Sequence, residues 1–186
     1  MPEAYPAQFT PNSQGIVFYD AGLRVETWSV LEEQRTGVHE LVFQKHCLQT
    51  ALSPDGKTLA CYGSQFELAL FDVASGATIF QKKSFHEPSF REYFRLLLAR
   101  LLNEGEASLL NMSFSPDARY FVAAARDENA LAFDLRTRAP VPLHGSLKRL
   151  LSVNFAFLGP DRVVGVDPAK GENSALLRFP SGEIID

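Results

Sequence analysis

Four histidines, two cysteines and a scatter of loop carboxylates are the residues of this 186-residue chain that could do chemistry. His39, His46, His86 and His144 form no HxH or HExxH pair, and none stands at metal-ligand spacing from a cysteine, so they read as surface histidines. Asp127, Glu128, Asp167 and Glu172 could converge to hold a cation such as Ca²⁺, which needs several oxygen ligands; solvated loop acids is the plainer reading. No GxSxG elbow, phosphate loop or dinucleotide fingerprint is present. The expectation is therefore no catalytic residue, no cofactor and no metal. Cys47 and Cys61 fall on neighbouring predicted strands, and two buried free thiols are expected rather than a disulfide. The sequon Asn111-Met112-Ser113 also falls on a predicted strand and reads as accidental.

A second group of polar residues belongs to turns. Asn12, Asp55, Asp117 and Asp161 each follow a proline. Pro presets φ, Asp or Asn bonds the backbone ahead of it, and a following Gly accepts positive φ, so these four are read as turn formers. They punctuate a phrase written four times: an apolar strand, a Pro-centred turn, a second strand, then an aromatic-led third strand. The clearest copy runs Leu52-Ser53-Pro54-Asp55-Gly56 and closes with Leu70-Phe71-Asp72. Another runs Phe114-Ser115-Pro116-Asp117 and closes with Ala132-Phe133-Asp134. Weaker copies contain Pro11 with Thr27-Trp28-Ser29, and Pro160 with Leu177-Arg178-Phe179. Pro11 and Pro54 stand 43 residues apart, as do Trp28 and Phe71, and Pro116 and Pro160 stand 44 apart. Pro54 to Pro116 is 62, which marks an insertion. A period of about 40–45 residues with four short strands per unit is the signature of a β-propeller blade.

On the Ser53–Gly56 and Ser115–Asp117 turns and the endings Trp28-Ser29, Phe71-Asp72 and Phe133-Asp134, the chain resembles the WD40-like propeller repeats over nearly its whole length. None of the endings reads Trp-Asp, and the upstream Gly-His of that family is missing; Val38-His39 and His144-Gly145 are poor substitutes. The resemblance implies an all-β fold of β-propeller-type blades, each of four antiparallel strands. Blade 1 is expected over about 4–46, blade 2 over 47–84, blade 3 over 110–151 and blade 4 over 152–186, with one amphipathic helical insertion over 85–109. The aromatic ends of the third strands should pack between blades. Closed propellers of the family usually have more blades, so four should form an open arc, a half propeller whose end blades expose apolar faces. Such an arc is part of a longer chain or one half of a homodimer.

Within the insertion, 88–105 reads as a helix with Pro88 in its first turn and Gly105 as its stop. Phe90, Phe94, Leu97, Leu98 and Leu101 form one apolar face, opposed by Arg91 and Arg95. The face either caps the propeller or meets a protein partner. In WD40-like blades, the connections between second and third strands share a face of the disc with the connections between blades. This top face should therefore gather the helix with Gln65, Phe66, Arg126, Asp127, Glu128, Asp167 and Lys170 as partner-binding candidates.

Composition fits: 46% hydrophobic and 22% charged is enough to bury a core. A net charge of −4 with interspersed signs excludes a basic nucleic-acid-binding stripe. No apolar run is long enough to span a bilayer, the helix lacks the basic run of a membrane-surface segment, and the start has no secretory signal, so a soluble, cytoplasmic protein is expected. The function expected is a non-enzymatic protein–protein interaction scaffold. The alternative is a segment of a propeller enzyme or ligand sensor, lactonase-like or periplasmic, with acids and histidines around a channel mouth.

Overall fold

A computed structural model describes residues 7–10, 13–19, 24–40, 47–63, 67–83, 85, 110–125, 130–143, 147, 151, 155–166 and 174–185. The first sheet contains β1 (Ala7–Phe9), β2 (Gly15–Tyr19), β3 (Arg24–Ser29) and β4 (Gln34–Glu40). The second contains β5 (Cys47–Leu52), β6 (Thr58–Gly63), β7 (Leu68–Asp72) and β8 (Thr78–Lys82). The third contains β9 (Leu110–Phe114), β10 (Tyr120–Ala125), β11 (Ala130–Asp134) and β12 (Ala139–Val141). The fourth contains β13 (Phe155–Gly159), β14 (Arg162–Val166) and β15 (Ser174–Arg178). Each sheet is an antiparallel meander in sequence order, which is the construction of a propeller blade. Blade 4 departs from the expected four strands: among the described residues it has three, with a bridge from Leu177 to Ile184 beyond β15.

Alternation along the strands gives the central blades 2 and 3 two buried faces. Leu59, Cys61, Ala69 and Phe71 turn toward Val17 and Val25 of blade 1. Their neighbours Ala60, Tyr62, Leu68 and Leu70 turn the other way, onto Phe121, Ala123 and Phe133 of blade 3. Tyr120, Val122, Ala124 and Ala132 then meet Phe155, Val163, Leu177 and Phe179 of blade 4, with Leu147 and Leu151 closing that core. Rings lock these seams: Phe80 lies 4.8 Å from Phe133, and Tyr120 meets Phe179 edge-on at 5.0 Å. The sequon residue Asn111 donates from Nδ2 to the Phe155 carbonyl at 3.1 Å, so it works as a link between blades 3 and 4.

The Ser-Pro-Asp turns are two copies of one hydrogen-bonded device. Ser53 Oγ donates to Asp55 Oδ1 at 2.6 Å and accepts from the Thr58 N–H at 2.9 Å. Ser115 repeats both bonds with Asp117 and Tyr120, at 2.5 and 2.9 Å. In blade 1 Thr10 takes the serine's place, accepting from the Gly15 N–H at 2.9 Å. The fourth copy differs from expectation. Gly159 pairs directly with Arg162, leaving a two-residue hairpin at Pro160-Asp161. The Asp161 carbonyl accepts from Phe179 N, as those of Lys57 and Arg119 accept from Val73 and Leu135. Asp161 therefore occupies the place of Lys57, not that of Asp55.

The expected free thiols are also corrected: Cys47 and Cys61 form a disulfide with Cα atoms 5.7 Å apart. A register shift between Cys47 and Gln49 causes it, because Cys47 then opposes Gly63 and shares a face with Cys61. The outer strands carry irregularities as well. β4 and β8 each shift register opposite the aromatic of their neighbour, at Thr27/Trp28 and Leu70/Phe71, and β12 carries Pro140 opposite Phe133.

Two stability measurements follow from the turns and the bridge. Ala118 holds φ +57° where Gly56 holds +70°. Ala118→Gly should raise stability by about 0.5–1 kcal/mol, whereas Gly56→Ala should cost at least about 1 kcal/mol. Urea midpoints check the opposite signs, and equal signs would refute the shared turn geometry. Reducing the disulfide should cost about 2–3 kcal/mol in the same assay.

Candidate functional site

The insertion residues Phe90, Arg91, Phe94, Arg95, Leu97, Leu98 and Leu101 lie outside the described residues, as do Gln65, Phe66, Arg126, Asp127, Glu128, Asp167 and Lys170. The acid Glu172 and the histidines His46, His86 and His144 fall there too. What is described is the frame from which they leave. β6, β10 and β14 run in the same sense within their blades and end at Gly63, Ala125 and Val166, just before three of these segments. At the mouth of the first, Glu67 is buried, its Oε1 accepting from Gln81 Nε2 at 2.5 Å. Phe85 opens the insertion. It is buried in the core between blades 2 and 3, with the Lys82 ammonium 5.4 Å from its ring centre.

At the opposite ends of the strands, the acids serve as caps. Asp72 Oδ1 accepts from Ser75 N at 2.8 Å and Ser75 Oγ at 2.6 Å. Those bonds, led by the hydroxyl, hold its pKa below the ordinary 3.8 against the opposing effect of burial. Asp134 is buried at the same position in blade 3. Burial alone would raise its pKa, but Arg119 Nε and Nη2, at 3.2 and 3.0 Å, and the N–H groups of Arg136 and Thr137 outweigh it and lower the value. These carboxylates are consumed by turn architecture.

A shallow groove between blades 1 and 2 is lined by Thr27, Thr36, Gly37, His39, Asp55 and Lys57, among others. Asp55 Oδ1 there accepts from the Ser53 hydroxyl and from the Lys57 N–H. Among the described residues no three His, Cys, Asp or Glu side chains are placed to hold a metal ion.

The unsatisfied surface lies at the two ends of the arc. Every large apolar side chain exposed among the described residues belongs to blade 1 or blade 4: Phe9, Trp28, Val30, Leu31 and Val38, then Leu158, Ile184 and Ile185. Trp28, an aromatic third-strand ending, was expected to pack between blades, and the equivalent side chains do. Val30, Val73, Leu135 and Phe179 donate equivalent backbone bonds, to Gln14, Lys57, Arg119 and Asp161. Two residues earlier stand Trp28, Phe71, Phe133 and Leu177. The last three are at most 1% exposed, but Trp28 is 36% exposed. Val73 and Phe179 are 3% and 2% exposed, against 40% for Val30. Blade 1 thus carries an inter-blade face that no other described residue covers.

On that face Phe9, Ile16 and Trp28 form one row, and Ala7, Phe18, Glu26 and Val38 the next. Glu26 is met by Arg24 at 2.9 Å, by Arg35 at 3.7 Å and by the Trp28 indole N–H at 3.3 Å. At the other end of the arc, Ala156, Val164 and Leu176 form the outward row of blade 4. Ile185 donates its N–H to the Leu176 carbonyl and extends that row.

No protein-family model matches the chain, and no curated protein matches it in sequence. Solved structures do match in fold. The WD40 repeats of RRP9 align with 96% of this chain and 49% of their own, at 15% identity and a TM-score of 0.56. The β-propeller domain of Cps50 (Swd1) from Myceliophteria thermophila aligns over 98% and 54%, at 13% identity and 0.58. The dihydro-heme d1 dehydrogenase NirN aligns over 100% and 37%, at 15% identity and 0.58. The fold is that of a WD40-like propeller, and the chain spans about half the length or less of these matches.

The lowered carboxyls fix the sign of the acid response. A group depressed below 3.8 by folding contributes its full stabilisation above that value and loses it as the pH falls through the lowered folded value. The melting temperature should fall steeply below about pH 4, and less steeply in Asp134→Asn, which has no charge to lose. Parallel curves for the two proteins would remove Asp134 from the account.

Proposed function

We propose that this chain is a non-enzymatic protein–protein interaction module, a WD40-like arc that presents rigid surfaces to protein partners. The observation that carries the proposal is the distribution of unsatisfied surface. The described turn acids are consumed in capping, while exposed large apolar side chains collect on the end blades. In this reading the inserted helix binds a partner through Phe90, Phe94, Leu97, Leu98 and Leu101, flanked by Arg91 and Arg95. The loop residues Gln65, Phe66, Arg126, Asp127, Glu128, Asp167 and Lys170 extend the same surface. The burial of Phe85 supports it, because the start of the insertion is anchored on the rigid core between blades 2 and 3.

The end faces take further blades, from a longer chain or from a homodimer. Nucleic acid is not a partner in this reading, since the net charge is −4. A membrane is not one either; no helix among the described residues is long and apolar enough to cross one. The module is placed in the cytoplasm, where the Cys47–Cys61 bridge would be open to reduction.

The test is affinity capture with quantitative mass spectrometry, using wild type and the double variant Phe94→Glu/Leu98→Glu. Capture of specific partners should fall at least about tenfold in the variant, with the β-rich spectrum and melting temperature kept. An unchanged set of partners would remove the helix from the binding surface.

A further inference from the structure

We propose that the two end faces are the two sides of one seam, and that a second copy of this chain closes the arc into a ring of eight blades. This deepens the interaction-module reading and rests on it only for the end faces, not for the helix.

Within the arc, the row Leu70 and Phe80 of blade 2 lies against Phe133 of blade 3. Leu176 of blade 4 is the equivalent of Leu70, being the residue before Leu177 as Leu70 is before Phe71. Phe80 pairs with Leu70, and Ile185 is bonded to Leu176 in the same way. Trp28 of blade 1 is the equivalent of Phe133. The structure thus holds a complete seam between blades 2 and 3, and the separated halves of another at the two ends. Leu176 and Ile185 of one copy fit over Trp28 of the other, with Val164 over Ile16, the equivalent of Leu59, Phe121 and Val163.

Two further observations choose the occupant. The arc aligns over at least 96% of its length with about half of each WD40-type propeller. The complement of half a ring is another half, and a second copy presents both unlike faces at once, so a two-fold axis satisfies both seams. Glu26, an acid set into the seam, already has Arg24, Arg35 and the Trp28 indole around it. Its burial therefore does not strand a charge.

Trp28 is the only tryptophan in the chain, so its fluorescence reports the seam directly. The whole chain would be diluted over a wide concentration range while its mass is followed by light scattering and its emission maximum recorded. The expected result is a two-copy species whose tryptophan emission is blue-shifted, moving to the red as the mass halves. Trp28→Glu and Ile185→Glu each alter a side chain already exposed in the single arc, so both should keep the fold. Each should raise the dissociation constant at least about 30-fold, the effect of losing a central anchor, and in Ile185→Glu the emission should stay red-shifted.

A monomer with red-shifted emission at every concentration would overturn the ring. So would a dimer that survives both substitutions, since the copies would then meet elsewhere. An open-ended, polydisperse assembly dependent on Trp28 would also overturn it, because the arcs would be joining without closing. Loss of partner capture in Phe94→Glu/Leu98→Glu is read separately from mass, so failure of either proposal leaves the other intact.

Discussion

The structure depends on one constraint: the blades are apolar on both faces, and a face is buried only by a neighbouring blade. β6 and β10 are buried along their whole length, so a single sheet taken alone would expose most of its core. Burial then becomes a nearest-neighbour quantity, and a repeat array is held together seam by seam. The central blades 2 and 3 satisfy the constraint on both sides. The end blades satisfy it on one, and Phe9, Trp28 and Val30, left exposed on blade 1, have the buried equivalents Leu52, Phe71 and Val73 in blade 2.

Much of this was legible in the sequence, for reasons that can be named. The serine and aspartate of the Ser-Pro-Asp turns are local, because Ser53 and Ser115 reach partners only a few residues away. The open arc and its apolar end faces followed from counting repeats. What failed did so where strand register decides. The string Pro-Asp is the same at 54–55 and 160–161, but the alternation of Phe155, Phe157 and Val163 sets a tighter hairpin, so the two aspartates take different places. A single extra residue near Leu48 brought Cys47 onto the face of Cys61, and a bulge of that kind leaves no mark in composition.

The candidate site was less legible than the fold. Repeat spacing says that Trp28 belongs between blades. It does not say which side of its sheet is the open one, because that depends on which neighbour exists. Asp55 and Asp117, read from the sequence as turn formers, bond serine hydroxyls and backbone N–H groups. The helix and top loops rest on amphipathic pattern and topology, and both lie outside the described residues.

The irregularities of the outer strands have a consequence for life in a crowded solution. An arc of open sheets presents an outer edge in every blade, and an edge of free N–H and C=O groups invites strand addition and aggregation. Here β4 and β8 are each broken by a register shift, and β12 is only three residues long with Pro140 at its centre, which has no N–H to offer. The rims are thus poor templates for stacking, while the faces at the ends keep their shape. Association is steered toward contacts made face to face, side chain against side chain, and away from the backbone pairing that leads to fibrils.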